Sequence, residues 1–173
     1  ILYRENRDVT YFQSELVREH IPYVIESDEN ILEHEEIKKL LALLYATAFF
    51  GDDEKIIPLL HLDFFNLNEL LIYRAIKDAK MGGKSLCEFL SGKKHFSRAM
   101  NMVARWHKAS YTLNLMELIE RVMHESGFLS ALLERRKSYE NLERVDSFFE
   151  EARTFLESEK SGSLREFLSL LEL

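Results

Sequence analysis

The chain has 173 residues, a formal net charge of −7 and 46% apolar residues, enough to bury one good core or a core plus an appendage. The net acidity argues against a free-standing nucleic-acid binder, which is usually basic, and the lone Cys87 excludes an internal disulfide or a cysteine-rich metal site. No apolar run approaches a membrane span and no signal-peptide pattern is present, so a reducing, cytoplasmic setting without membrane contact is expected.

Residues 1–4 read as a short buried strand, opening without Met as a piece cut from a larger protein would. Residues 9–19 read as an amphipathic helix, with Val9, Phe12, Leu16 and Val17 at helical spacing. Pro22 then permits a second extended segment over 23–26, where Val24 and Ile25 are β-branched. Strand, helix, strand is one βαβ-like piece, too small to cover both faces of its own strands. Beyond it the pattern is helical throughout. A helix over 33–50 places Ile37, Leu40, Leu41, Leu44 and Ala48 on one face, and Gly51-Asp52-Asp53 stops it and caps a short helix through Leu60. Asn66 or Asn68 caps the next, which ends near Lys80 at Met81-Gly82-Gly83. Ser85 opens a short helix closed by Gly92, and helices over 95–110 and 115–126 follow, the second ended by Gly127. A piece over 129–134 precedes a long helix over 139–157, with Leu142, Val145, Phe148, Phe149, Ala152 and Phe155 as its stripe. Ser163 and Glu166 form a capping box for a last helix. The fold class is therefore mainly α, with a small N-terminal α/β piece. The change of pattern divides the chain at residue 50, into 1–50 and 51–173.

Catalytic patterns are incomplete. Gly83-Lys84-Ser85 resembles the tail of a phosphate loop, but the position five before Gly83 is Asp78, whose carboxylate repels phosphate. The glycines already serve as a helix stop. His34-Glu35-Glu36 lacks the second His a zinc protease needs one turn on, because position 38 is Lys. No Gly-x-Ser-x-Gly elbow exists. Lys93, Lys94, His95 and Arg98, with Arg105 and Lys108, line one side of a helix, and Arg135, Arg136 and Lys137 sit in a loop. Two readings stand for these cations: sequence-independent phosphate contact, or ordinary solvated charge, the second favoured by the acidic chain. Phe64, Phe65, Phe148, Phe149 and Trp106 lie at core-like spacing, which favours packing over base stacking. Tyr3 and Arg4 end a strand, where a ring and a guanidinium meet a ligand at a sheet's carboxyl edge.

Ile1-Leu2-Tyr3-Arg4-Glu5-Asn6 resembles the fourth conserved motif of the UvrD/Rep-type superfamily-one DNA helicases, apolar-Leu-Tyr-Arg-x-Asn. The family's sequel is matched in order by Ile21-Pro22-Tyr23, the polar turn 27–30 and Glu36-Ile37-Lys38 before Leu40-Leu41-Ala42-Leu43-Leu44. Further on, Glu117-Leu118-Ile119 with Ser126-Gly127-Phe128, and Asn141-Leu142-Glu143 with Ser163-Leu164-Arg165-Glu166-Phe167-Leu168, resemble the family's closing stretches.

The resemblance implies a piece of the second motor lobe carrying the helical 2B insertion, with 1–50 a partial RecA-like (2A) segment and 51–173 the insertion. It implies that Tyr3 stacks on adenine and Arg4 reaches the γ-phosphate of ATP, held with Mg2+ in the full-length parent, and that Glu36 has a structural role. The phosphate loop, the magnesium-binding acidic motif and the last arginine motif are absent from these 173 residues, so no catalytic residue is assigned and the chain alone is expected to be inactive. Where UvrD and Rep relatives have a Gly-Ile-Gly hairpin, this chain has Leu62-Asp63-Phe64-Phe65-Asn66-Leu67. That departure brings it closer to the AddA/RecB helicase-nucleases, and implies a partner subunit as well as DNA, in repair or recombination. The competing expectation is a non-catalytic, all-α protein-interaction module.

Overall fold

The computed structural model describes Leu16, Arg18, Ile21 and residues 31–134, 138–158 and 162–171. The chain divides into two compact units, Ile1–Asn30 and Ile31–Leu173. In the first, Leu16 and Arg18 are helical, and the Ile21 N–H donates to the Leu16 carbonyl at 2.9 Å. The strands expected over 1–4 and 23–26, and most of the helix expected over 9–19, lie outside the described residues.

The second unit is mainly α. Its described residues form nine α-helices: α1 Glu35–Ala48, α2 Asp53–Leu60, α3 Glu69–Met81, α4 Leu86–Leu90, α5 Ser97–Ala109, α6 Leu115–Ser126, α7 Phe128–Leu133, α8 Ser138–Ser158 and α9 Leu164–Leu171. Short 3-10 turns lie at Ile31–Glu33 and Asp63–Phe65. Most helix starts have a local chemical cause. The Asp52 carboxylate accepts from the Glu54 N–H at 2.9 Å, Asn68 Oδ1 from Leu70 and Leu71, and Ser85 Oγ from Glu88 at 3.1 Å. Asn114 and Glu117 form a reciprocal capping box, as do Ser163 and Glu166. Gly127 sits at φ +93°, a left-handed turn that ends α6 and begins α7.

Helix α1 is the hub. Ile37, Leu40, Leu43, Leu44 and Ala46 have no exposed surface, so the helix is apolar on more than one face and must be enclosed. It packs against α2, α5, α6, α8 and α9. The contact division therefore falls before α1, whereas the sequence pattern divides the chain after it. Helix α1 buries Leu43 and Ala46 besides Ile37, Leu40, Leu44 and Ala48 of the predicted stripe, while Leu41 is half-buried. Fully burying each large aliphatic side chain contributes about 1.5–3 kcal/mol. Trp106, Phe128, Phe148 and Phe167 fill the rest of the core, with the Phe148 and Phe167 rings edge-on at 5.6 Å.

The last turn of α1 is tied to distant helices. His107 Nδ1 lies 2.8 Å from the Thr47 carbonyl, and Arg165 Nε donates to the Ala48 carbonyl at 3.0 Å. These donors satisfy carbonyls that a helix C-terminus leaves open. On α8 the buried residues are Asn141, Val145, Phe148, Ala152 and Phe155, spaced alternately by four and three. Leu142 is exposed and Phe149 half-buried, so the stripe is narrower than predicted.

Candidate functional site

Of the predicted site residues, Tyr3, Arg4, Arg135, Arg136 and Lys137 lie outside the described residues. Lys93, Lys94 and Arg98 are described, and all three are exposed. Gly92, at φ +83°, reverses the chain after α4. The Lys93 N–H then donates to Leu90, the Phe96 N–H to Lys93, and Ser97 Oγ to the Lys94 carbonyl at 2.8 Å. Phe96 is buried beneath this turn and fixes it, leaving the cations outside. Lys93 Nζ rests 4.8 Å above the Phe89 ring, so part of its charge is already engaged.

Arg98 and His95 face across from a second segment. Asn66 adopts a left-handed conformation at φ +51°, which Asn tolerates better than most residues, and it ends the Asp63–Phe65 turn. Asn68 two residues later caps α3. The two segments enclose an open groove of about 480 Å3 whose lining includes Asn66, Asn68, Leu70, Arg74, His95 and Arg98. Lys93 and Lys94 flank this groove in sequence but are not part of its wall.

The two arginines in that wall differ from the others described. Arg105 and Arg121 bind Glu125, Arg144 pairs with Glu140, Arg153 binds Glu150, Arg165 caps α1, and Arg18 is also engaged. Arg74 and Arg98 have no carboxylate partner among the described residues. Two unpaired guanidiniums and an imidazole on one groove suit an anion with several oxygens, a phosphate or a carboxylate.

Charge is segregated along the chain. Residues 69–98 hold seven Lys or Arg against three Asp or Glu, leaving sixteen against twenty-seven elsewhere. Arg74, Lys77, Lys80 and Lys84 belong to this positive segment, and all are exposed. Sequence reasoning did not count them as a basic surface because it weighed the run from Lys93 and the loop 135–137, and read Lys84 only against a phosphate loop; a segment-by-segment charge count carries the signal. It also grouped Arg105 with Arg98, whereas Arg105 Nη2 turns to Glu125 at 3.1 Å.

Glu125 is a structural knot. It accepts from the buried Trp106 Nε1 at 2.9 Å, from Arg105, and from Arg121 Nε at 3.0 Å. Burial raises its pKa, but the bonds from Arg121 and Trp106 and the Arg105 charge outweigh that, holding the carboxyl below its ordinary value. Lys39 is the cationic counterpart: burial lowers its pKa, yet hydrogen bonds to Asp63 and Glu35 raise it overall. The Lys39–Asp63 pair at 3.0 Å pins the 62–67 stretch, where Leu62 and Phe65 are buried.

The weaker motifs resolve into structure. Gly83 at φ +61° ends α3, and Ser85 caps α4, as a helix stop requires. Burial pushes the Cys87 thiol up, reinforced by Asp53 and Asp52 and opposed by a hydrogen bond from the Gly51 backbone. Among the described residues no three His, Cys, Asp or Glu side chains are grouped to hold a metal, so no step through Mg2+ is derived from them. No helix among them is long and apolar enough to cross a membrane. No family model matches the chain, and no curated protein matches it.

Proposed function

We propose that this chain is part of the second motor lobe, with its helical insertion, of a UvrD/Rep-type DNA helicase nearest the AddA/RecB branch. The parent is a cytoplasmic enzyme that couples ATP hydrolysis to strand separation in repair or recombination. The observation that carries this reading is the ordered series Ile1-Leu2-Tyr3-Arg4-Glu5-Asn6, Ile21-Pro22-Tyr23 and Glu36-Ile37-Lys38, the last in the first turn of α1. A strand-helix-strand piece over 1–26 belongs to the proposal. Tyr3 supplies the adenine-stacking ring and Arg4 the fork toward the γ-phosphate; Mg2+ and the phosphate loop come from elsewhere in the parent.

Two features of the helical unit support it. Its described residues are mainly helical, as an inserted 2B body would be. Its exposed cations gather on one segment of an acidic chain, where Arg74, His95 and Arg98 offer phosphate contacts without base readout. Lys93, Lys94, Arg135, Arg136 and Lys137 extend that basic surface in the proposal.

The decisive experiment is Arg4→Ala in the full-length parent. ATP turnover falls by about 10^3-fold or more, the scale on which a charge-stabilising arginine acts, while DNA affinity changes little. An unchanged turnover rate removes the assignment.

A further inference from the structure

The outer face of α3 is unusual for a surface helix. Leu70, Tyr73 and Met81 are 55%, 63% and 77% exposed, three of the large apolar side chains that this protein leaves in solvent. Leu70, Arg74, Lys77 and Met81 follow the i, i+4, i+7, i+11 ridge, with Tyr73 beside it. That ridge runs about 16 Å, three turns. Its order is apolar, cation, cation, apolar. Of the helix's carboxylates, Glu69 falls roughly 110° to one side of the ridge's centre and Asp78 roughly 70° to the other on a 3.6-residue wheel. The opposite face, Ile72, Ala75 and Ala79, is buried, so this ridge is not needed for the core.

We propose that the exposed ridge of α3 is a docking surface for an acidic amphipathic helix of a partner protein. Leu70 and Met81 at the ends anchor apolar side chains at ridge-into-groove spacing, and the flexible thioether of Met81 adapts to its partner. Arg74 and Lys77 between them select carboxylates, and neither has an ion-pair partner among the described residues. A second copy of this face is a poor occupant, because an isologous pairing sets Arg74 and Lys77 against the same cations of the other copy. A nucleic-acid strand uses Tyr73 and the two cations but leaves Leu70 and Met81 in water. The ridge shares Arg74 with the phosphate contacts proposed above, but Leu70, Tyr73, Lys77 and Met81 carry it without a nucleotide role, and a helicase or an interaction module satisfies it equally.

The test uses the 173-residue chain and fluorescence anisotropy. The probe is a labelled, helix-favouring peptide of about twenty residues, with Leu at i, i+4, i+7 and i+11 and Glu along both flanks. A second peptide carries Gln for every Glu, and a thymidine oligonucleotide and anionic vesicles complete the set. The Glu peptide binds with a Kd of roughly 10–100 μM, and the Gln peptide about tenfold more weakly. Leu70→Ser with Met81→Ser, both on exposed positions, weakens the Glu peptide by about tenfold. Arg153→Ala, on α8 and paired with Glu150, leaves it unchanged. Equal affinity for the two peptides, or binding that survives the Leu70 and Met81 substitutions, overturns the proposal. So does an oligonucleotide or vesicle that displaces the peptide and itself loses affinity in that double variant.

Discussion

Replacing Glu125 by Ala removes one carboxylate that three donors share. The buried Trp106 Nε1–H loses its acceptor at 2.9 Å. Leaving such a group unsatisfied costs about 1–3 kcal/mol. The Glu125 side chain is 30% exposed, so water reaches part of the space it vacates and the lower half of that range applies. The ion pairs to Arg105 and Arg121 involve arginines 65% and 48% exposed and add only a few tenths of a kcal/mol each. The sum is about 2 kcal/mol. Glu125→Gln keeps an oxygen where Oε2 accepts from the indole and from Arg105, but turns its amide protons toward Arg121 Nε, so about 1 kcal/mol is lost. The assay is urea unfolding followed by the fluorescence of Trp106, the only tryptophan in the chain and one that lies inside the helical unit. With an m-value near 2 kcal/mol/M, Glu125→Ala lowers the midpoint by about 1 M. The sign of the pH dependence follows from the depressed carboxyl. The unfolded chain takes up the proton first, so the stabilisation is complete above the ordinary Glu value near 4.3 and is lost as pH falls through the lowered folded value. The gap between wild type and Glu125→Gln therefore narrows in acid. A midpoint shift of Glu125→Ala below about 0.3 M, or a gap that widens as pH falls, refutes the reasoning.

Arg74→Ala combined with Arg98→Ala weakens duplex DNA binding by the isolated chain and lowers the slope of log affinity against log salt by about 2, one for each phosphate no longer neutralised; an unchanged slope places phosphate binding elsewhere. Gly127→Ala forces a β-carbon into a left-handed turn where its nearest neighbour, Phe64 Cβ, is 3.9 Å away. The penalty is therefore conformational, about 1–2 kcal/mol, and lowers the melting temperature by roughly 3–6 °C in a thermal scan. Cys87, half-buried with a raised pKa, reacts with a disulfide reagent at mildly alkaline pH at least about tenfold more slowly in the native chain than in urea; equal rates contradict that environment.

Much of the helical unit was legible because its boundaries are set by neighbours in sequence. Asp52, Ser85, Ser163 with Glu166, and Gly127 each act within three residues, so their chemistry is visible in the string alone. The choice between Asn66 and Asn68 was not, since one caps α3 while the other takes a left-handed turn only two residues earlier. Helix α5 starts at Ser97 rather than near His95, because buried Phe96 anchors the preceding turn without any side-chain cap. The narrower stripe of α8 keeps the four-three spacing of its own period, and Leu142 and Phe149 fall at its edge. The groove was illegible for a plainer reason. It joins Asn66 and Asn68 to His95 and Arg98 across some thirty residues, and Arg74 of α3 meets them only in its folded wall. Glu125 belongs to the same class, with its three donors drawn from two helices.

The ties at the end of α1 have a consequence for synthesis. The donor that closes the Ala48 carbonyl, Arg165, is 117 residues downstream. At ordinary translation speeds the ribosome takes roughly 6–25 s to deliver it. From the moment it clears the exit tunnel until Arg165 follows, the helix of the unit that buries the most side chains lacks that neighbour, and its leucines are available to other nascent chains. A stop codon placed anywhere before α9 yields a polypeptide whose α1 never gains the Arg165 cap on its last turn.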